Sequence, residues 1–244
     1  MDSTPKYAQQ SFWNDRYRAH SKPEDWYATW NELKSVLSPL LSPSTLPSLL
    51  MVGCGNSHLS QALASQGFHV TNVDISQVVI EKIGGEERSE EYLVMDATNM
   101  PFKDRCFDIV MDKGTFDALT SGSNTGSGAD LVREMGRVAS NLVVFVTFGR
   151  PEVRSNELKS ALLAVGEWTE EVRQCALSPS AQLANIARSK FPGEGLSAVL
   201  KSQTKLQLVL LELVKHLRGQ PSDENPLRQD HCWVYLYRRL NSSA

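Results

Sequence analysis

Three carboxylates stand where apolar runs end. Asp74 closes Val70-Thr71-Asn72-Val73, Asp96 follows Leu93-Val94-Met95, and Asp112 closes Ile109-Val110-Met111. In an open α/β sheet, ligands bind beyond the carboxyl ends of the strands, so acids there can accept hydrogen bonds from ligand hydroxyls and amines. Upstream, Leu49-Leu50-Met51-Val52 stops at Gly53-Cys54-Gly55-Asn56-Ser57, and Asp74 lies 21 positions after Gly53. That spacing suits a nucleoside crevice, with the turn approaching the ligand and Asp74 accepting from ribose hydroxyls. Each piece also has a purely structural reading. The turn fits any tight βα connection, Asp74 fits as a first-turn acid, and Asp96 fits as a solvated turn residue.

The turn is poorly made for diphosphate. A dinucleotide loop needs a third glycine three residues after the second, and that position is His58. No Gly-Lys-Ser/Thr sequence is present to hold a triphosphate. Asp96 can reach an adenine edge and accept from its exocyclic amine. The segment Asp112-Lys113-Gly114-Thr115-Phe116-Asp117-Ala118-Leu119 falls at the end of the fourth strand and should line the same crevice. A lysine between carboxylates also suits a salt-bridged turn.

The elements that must position these residues alternate. Strands are expected at 48–52, 69–73, 92–95, 107–111 and 142–148, with helical stretches between them. Ser57 and Ser76 are candidate helix N-caps, and Gly67 a C-terminal stop. Residues 28–37 and 129–140 read as helices, and 38–48 and Ser121–Gly128 as loops. Such alternation gives an α/β fold with a mostly parallel, doubly wound sheet covered on both faces. Two more strands, 171–177 and 232–237, enclose a helical insert (179–218) and a polar loop (219–230). In the insert, Leu206–Leu217 is amphipathic and expected to cover the sheet edge. Residues 7–30 carry Tyr7, Phe12, Trp13, Tyr17, Trp26, Tyr27 and Trp30, rings that must be buried somewhere.

Composition sets bounds. At 244 residues the chain is read as one domain, 41% hydrophobic, with a formal charge of −3 that gives no general attraction to nucleic acid or anionic membrane. Cys54, Cys106, Cys175 and Cys232 are far apart in sequence and form no CxxC pair. No metal site or disulfide framework is expected, and reduced thiols fit a cytoplasmic protein. No apolar run approaches the ~20 residues of a membrane span, and no leader peptide is read at the N-terminus.

Taken together, Gly53-Cys54-Gly55-Asn56-Ser57, Asp74, Asp96 and Asp112–Leu119 resemble the seven-stranded S-adenosylmethionine-dependent methyltransferases. Within them the chain is most similar to the lysine methyltransferases that modify translation elongation factor 1-alpha. Phe12-Trp13-Asn14-Asp15-Arg16-Tyr17 and Asp25-Trp26-Tyr27 match that subfamily's aromatic lead-in. The resemblance implies a Rossmann-like seven-stranded sheet with an antiparallel last strand. Residues 1–47 would cover the cofactor, 48–150 would form the cofactor-binding core, and 151–244 the substrate side. It also implies that Gly53, Cys54 and Gly55 face the methionine part of S-adenosylmethionine and that Asp74 holds the ribose. Ile75 would pack beside the ribose and Asp96 with Ala97 contact adenine. Trp13, Tyr17 and Trp26 would close over the cofactor, with Lys113 beneath it. Asp112 or Asp117 would orient the acceptor amine and take its proton.

The implied activity is protein-lysine methylation, on elongation factor 1-alpha or a similar protein, by a monomer without nucleic-acid or membrane partners. The alternatives are methylation of another protein or a small molecule, and a non-catalytic cofactor-binding scaffold. Two departures from the pattern stand out. The usual Pro-Gly-Gly before strand five is replaced by Arg137-Val138-Ala139-Ser140-Asn141, and the insert is longer than the subfamily's.

Overall fold

In the computed structural model of the chain, residues 6–20, 22–38, 47–84, 90–121, 126–191, 194, 196–217 and 231–240 are described. Seven strands form one sheet: β1 Ser48–Val52, β2 His69–Asp74, β3 Glu91–Val94, β4 Phe107–Lys113, β5 Ala139–Thr147, β6 Trp168–Ala176 and β7 His231–Arg239. Their order is β3-β2-β1-β4-β5-β7-β6. β1 to β5 pair in parallel, whereas β7 runs antiparallel between β5 and β6. The strand order reverses at β1, with β2 and β3 extending one way and β4 and β5 the other. That places a crevice beyond the ends of β1 and β4.

The central strands read as continuous apolar runs because both faces are covered. Leu49 and Met51 of β1 join one core, and Leu50 and Val52 join the other. The first core includes Leu33 and Leu37 from α2 (Trp30–Leu37), Leu59 and Leu63 from α3 (Leu59–Ala64), and Val79 and Ile80 from α4 (Gln77–Gly84). The second takes Phe116 from α5 (Thr115–Thr120), Leu131 and Met135 from α6 (Gly126–Val138), and Leu158 and Leu162 from α7 (Pro151–Leu162). Burial of this apolar area on two faces is what makes the sheet the rigid base of the site.

Several boundaries move from their expected places. α3 starts at Leu59, with His58 rather than Ser57 at the cap position, and Ser57 Oγ accepts from the Leu59 amide at 3.1 Å. Ser76 does cap α4, accepting from the Val79 amide at 3.4 Å. α6 runs from Gly126 straight into β5 at Ala139, so the helix ends and the strand begins earlier than the sequence suggests. Arg137 takes over the work of the missing turn. Its guanidinium donates to the carbonyls of Phe102 and Met100 and pairs with Asp104 and Glu134, and its own carbonyl accepts from Arg105.

At the N-terminus, a 3-10 turn (Lys6–Ala8) leads into α1 (Gln10–Ala19). α1 puts Trp13, Arg16 and Tyr17 on one helical face, since residues three and four apart are neighbours. It docks on α4 through Asn14, whose Oδ1 accepts from Ser76 Oγ at 2.7 Å, and through Lys82, which donates to the Tyr17 carbonyl. The insert is three helices: α8 Pro179–Lys190, α9 Leu196–Lys201 and α10 Gln203–Leu217. α10 packs on α8 and α9 rather than covering the sheet edge, and Val209 joins Ile186, Ala187 and Val199 in a separate small core.

Cys175 and Cys232, distant in sequence, are register partners across β6 and β7, and both are free thiols. The polar stretch 219–230, most of 38–48 and residues 122–125 lie outside the described residues, while 126–128, expected as loop, open α6. Among the described residues, no helix is long and apolar enough to cross a membrane.

Candidate cofactor and acceptor site

A cavity of about 420 Å³ opens where β1 and β4 end, within the size range of small-molecule sites. β1 leads into its floor. Gly53 and Gly55 both take left-handed backbone conformations, with φ of 59° and 53°. A side chain at Gly53 would collide with Thr115 at the start of α5, and one at Gly55 would come within 2.7 Å of the Tyr17 hydroxyl. The glycines therefore expose main chain to the cavity and let the two loops and α1 converge.

Asp74 is buried at the end of β2, and both its oxygens engage main-chain amides. Oδ2 accepts from Gly55 and Oδ1 from Ser76, at 2.9 and 2.8 Å. The acid thus ties the glycine turn to the start of α4. Burial pushes its pKa up to about 6, against the opposing pull of the two amides. Ile75 lies beside it, and Gln10 of α1 donates to the Ile75 carbonyl at 2.6 Å. At the neighbouring corner Asp96 forms a turn with Thr98, accepting from its amide and hydroxyl, and Ala97 completes the wall. Cys54 lines the floor, its thiol pKa raised well above the usual by burial and by Asp74.

An aromatic roof closes the site. Tyr17 stacks on Trp13 with centroids 5.9 Å apart, and Trp26 meets Trp13 edge-on at 5.9 Å. Burial holds the Tyr17 phenol well above its ordinary pKa, so it stays a neutral ring. Trp26 belongs to a strap, residues 22–27, that lends Glu24, Trp26 and Tyr27 to the cavity lining. Asn56 donates to the Lys22 carbonyl at 2.7 Å, Ser57 bonds Asp25, and Arg16 pairs with Glu24 at 2.7 Å with both side chains nearly buried. Lys113, at the end of β4, pairs with Asp25 at 3.2 Å and donates to the Trp26 carbonyl at 2.9 Å.

The far wall is built by α5, the end of β5, and α7. Asp117 Oδ1 accepts from Thr147 Oγ1 and from the Arg154 guanidinium, both at 2.7 Å. Its Oδ2 is buried without a hydrogen bond of normal geometry, although the Tyr27 phenol sits near enough to favour its charge. Burial raises the Asp117 pKa, with Arg154 the main opposing influence. The Tyr27 ring lies 4.3 Å from Phe148, centroid to centroid.

Trp13, Tyr17, Trp26, Gly53, Cys54, Gly55, Asp74, Ile75, Asp96, Ala97, Lys113 and Asp117 all line this one cavity. Asp112 does not. It is completely buried, and it accepts from the amides of Thr115 and Phe116, closing the turn into α5. Its expected part in handling the acceptor's proton is corrected on that ground: unlike Asp74, which also binds main-chain amides, Asp112 lines no part of the cavity. Burial first, then Asp117, pushes its pKa up to about 7.

Among the lining residues that sequence reasoning did not assign to the site are Phe148, Arg154, Asn185 and Tyr27, the last read only as a ring to be buried and part of the aromatic lead-in. Gly149 and Pro151 after β5 do signal that the first turn of α7 starts at the crevice. Asn185 of the insert carries no such signal.

The residues fit a nucleoside-methionine ligand and not a diphosphate. Among the described residues, the two cations on the cavity wall, Lys113 and Arg154, are each bound to an aspartate. The start of α3, where a pyrophosphate would sit, is occupied by His58. An aromatic roof over acidic walls also suits a cationic centre.

Comparison with known proteins agrees. Residues 50–146 match the family described as "Methyltransferase domain". The eEF1A lysine and N-terminal methyltransferase of Xenopus laevis is 32% identical over 71% of this chain and 27% of its own length. The Bos taurus protein of the same name is 28% identical over 97% of this chain and 37% of its own. The EEF1A lysine methyltransferase 4 of Mus musculus is 36% identical over 48% of each. The chain thus spans well under half the length of the first two relatives.

Among solved structures, the Haemonchus contortus phosphoethanolamine N-methyltransferase 2 in complex with S-adenosyl-L-methionine shares the fold. Its TM-score is 0.57 at 16% identity, over 95% of this chain and 57% of that one. The magnesium protoporphyrin IX methyltransferase of Synechocystis with bound SAM gives 0.57 at 13% identity, over 98% of both chains. With its crossed seven-stranded sheet, its glycine turn after β1 and these relatives, the chain belongs to the seven-stranded S-adenosylmethionine-dependent methyltransferases.

Proposed function

We propose that the chain is a protein-lysine N-methyltransferase that uses S-adenosylmethionine and acts on elongation factor 1-alpha or a similar protein. One observation carries the reading: a single cavity joins a nucleoside half to an acceptor half. The first comprises the Gly53–Gly55 turn, Asp74 and Asp96 beneath aromatic rings, and the second is the Asp117 wall. The curated relatives, whose printed names include lysine methylation of eEF1A, support the acceptor class.

Within this reading Asp74 faces the ribose hydroxyls and Asp96 with Ala97 the adenine. The main chain of Gly53, Cys54 and Gly55 follows the methionine part, with Ile75 packed alongside. Trp13, Tyr17 and Trp26 exclude water and Lys113 anchors the strap that carries Trp26. When bound, S-adenosylmethionine supplies a methyl group on a sulfonium, already a good leaving group. The chain's share is therefore alignment and exclusion of water. Asp117 offers Oδ2 to an N–H of the neutral acceptor amine and takes the released proton there, while Arg154 and Thr147 hold Oδ1. We further read residues 1–244 as one methyltransferase unit, monomeric and cytoplasmic, its free thiols suited to a reducing compartment.

The test is to incubate the purified chain with methyl-labelled cofactor and an extract from cells lacking it, then locate the label by mass spectrometry. Label on a lysine of elongation factor 1-alpha is the expected result. Label confined to small molecules or RNA would overturn the acceptor class, and calorimetric binding of NAD alone would overturn the cofactor.

A further inference from the structure

The insert helix α8 reaches into the site through one side chain. Asn185 Nδ2 donates to the Tyr27 carbonyl at 3.0 Å, and the Tyr27 amide donates to Asn185 Oδ1 at 3.3 Å. Both residues are buried, at 3% and 5% exposure. The carboxamide thus pairs with Tyr27 as a neighbouring strand would, meeting both of its main-chain polar groups at once. A buried main-chain group left without a partner is costly, so this pairing matters to the conformation that needs it.

Tyr27 needs it more than most residues. Its φ is 68°, in the left-handed region that a residue with a side chain rarely occupies. This backbone turn lets consecutive rings point to different walls: Trp26 meets Trp13 in the roof, and Tyr27 packs on Phe148 beside Asp117. The ring fits there because Gly114 has no side chain. An added Cβ at Gly114 would lie 3.1 Å from the Tyr27 ring. A second link from the insert meets the same strap, the Leu196 amide donating to Glu24 Oε1 at 3.2 Å. Glu24 uses its other oxygen to hold Arg16 under Trp26.

We propose that Asn185 is a positioning residue of the cofactor site, holding Tyr27 in its left-handed turn so that the strap closes over the cavity. The insert is then a working part of that site, although the methyltransferase sheet is complete without it. The proposal rests on the cavity being the cofactor site, and the experiment separates the two ideas.

Asn185→Ala and the isosteric Asn185→Asp are compared with the wild-type chain by calorimetry with S-adenosylhomocysteine, thermal unfolding and amide hydrogen exchange. Asp keeps the acceptor for the Tyr27 amide and turns an acceptor toward its carbonyl. Expected are a dissociation constant raised roughly tenfold, about the net worth of two ordinary hydrogen bonds, and faster exchange at Trp26 and Tyr27 with no change in β1 and β2. A residue that merely stabilised the fold would lower the unfolding temperature and leave the affinity of the folded protein unchanged. Affinity within twofold of wild type together with unchanged strap exchange, in whichever variant folds, overturns the proposal. If the wild-type chain binds no S-adenosylhomocysteine, the functional reading fails instead, and strap exchange still decides whether Asn185 holds Tyr27.

Discussion

Lys113 Nζ donates to the carbonyl of Trp26 and pairs with Asp25, so the cation at the end of β4 is tied to the strap that lines the cavity with Trp26. The resemblance implies a place beneath the cofactor; the observed bonds give Lys113 a tie to the strap. With its side chain only 5% exposed, Lys113 holds residues 25 and 26 where they can cover a ligand. Lys113→Met keeps the length of the side chain and removes the donor. The expected result is S-adenosylmethionine affinity weakened at least about tenfold, with faster exchange at Trp26, read by calorimetry and hydrogen exchange. Unchanged affinity would show that the strap holds without it.

Gly55→Ala tests the cradle. The substitution adds about 1–2 kcal/mol of backbone strain at a left-handed residue, and its Cβ would meet the Tyr17 hydroxyl at 2.7 Å. Tyr17 must move, and its stack on Trp13 moves with it. Cofactor affinity should fall roughly five- to thirtyfold, the equivalent of that strain, while the sheet core stays folded. Binding by calorimetry, beside a far-ultraviolet dichroism spectrum, reads both.

Asp112 and Asp117 are five residues apart in sequence and should respond in opposite ways to the same change. Asp112→Asn keeps an oxygen for the Thr115 amide and removes the cost of burying a charge. Its folding stability near pH 8 should hold or rise, with methyl transfer little changed. Asp117→Asn keeps an oxygen for Arg154 and Thr147 but loses the base at the cavity wall. Turnover should fall roughly a hundredfold or more, with S-adenosylhomocysteine affinity held. Equal losses in the two variants would remove the distinction drawn between them.

Much of the site was legible because its pieces sit where strands end. The apolar run 48–52, the glycines after it and the acid at 74 are local signals, and the parallel sheet brings them together by its crossing order. The aromatic lead-in was legible as a count of rings without a place to go. What the sequence could not disclose were contacts that only the fold creates. Asn185 lies 158 residues from Tyr27, on an insert whose helices report their own small core and not their target. Asp112 misled for a related reason. An acid at a strand end can face a ligand or close a turn, and only the Thr115 and Phe116 amides decide which. The β5 start was misjudged because Arg137 replaces a turn motif by long-range bonds to residues 100–104.

Asp74 makes ligand-free stability and cofactor binding depend on pH in opposite directions. Burial raises its pKa from 3.8 to about 6, and that of Asp112 from 3.8 to about 7. Each is an acid that the folded state protonates more readily than the unfolded state. The stability this contributes is complete below the unfolded value of 3.8 and is lost as pH rises through the folded values. Raising the pH from about 5 to about 8 should therefore lower the unfolding temperature of the ligand-free protein. The same change ionises Asp74, and the carboxylate is the form that can accept from both ribose hydroxyls, so affinity for S-adenosylmethionine should rise across that range. Asp74→Asn should flatten the affinity profile and remove one share of the stability change, leaving those of Asp112 and Asp117. Thermal unfolding and calorimetry on the same samples across this range check both slopes. An affinity that stays flat in the wild-type chain would mean that Asp74 serves the Gly55 and Ser76 amides alone.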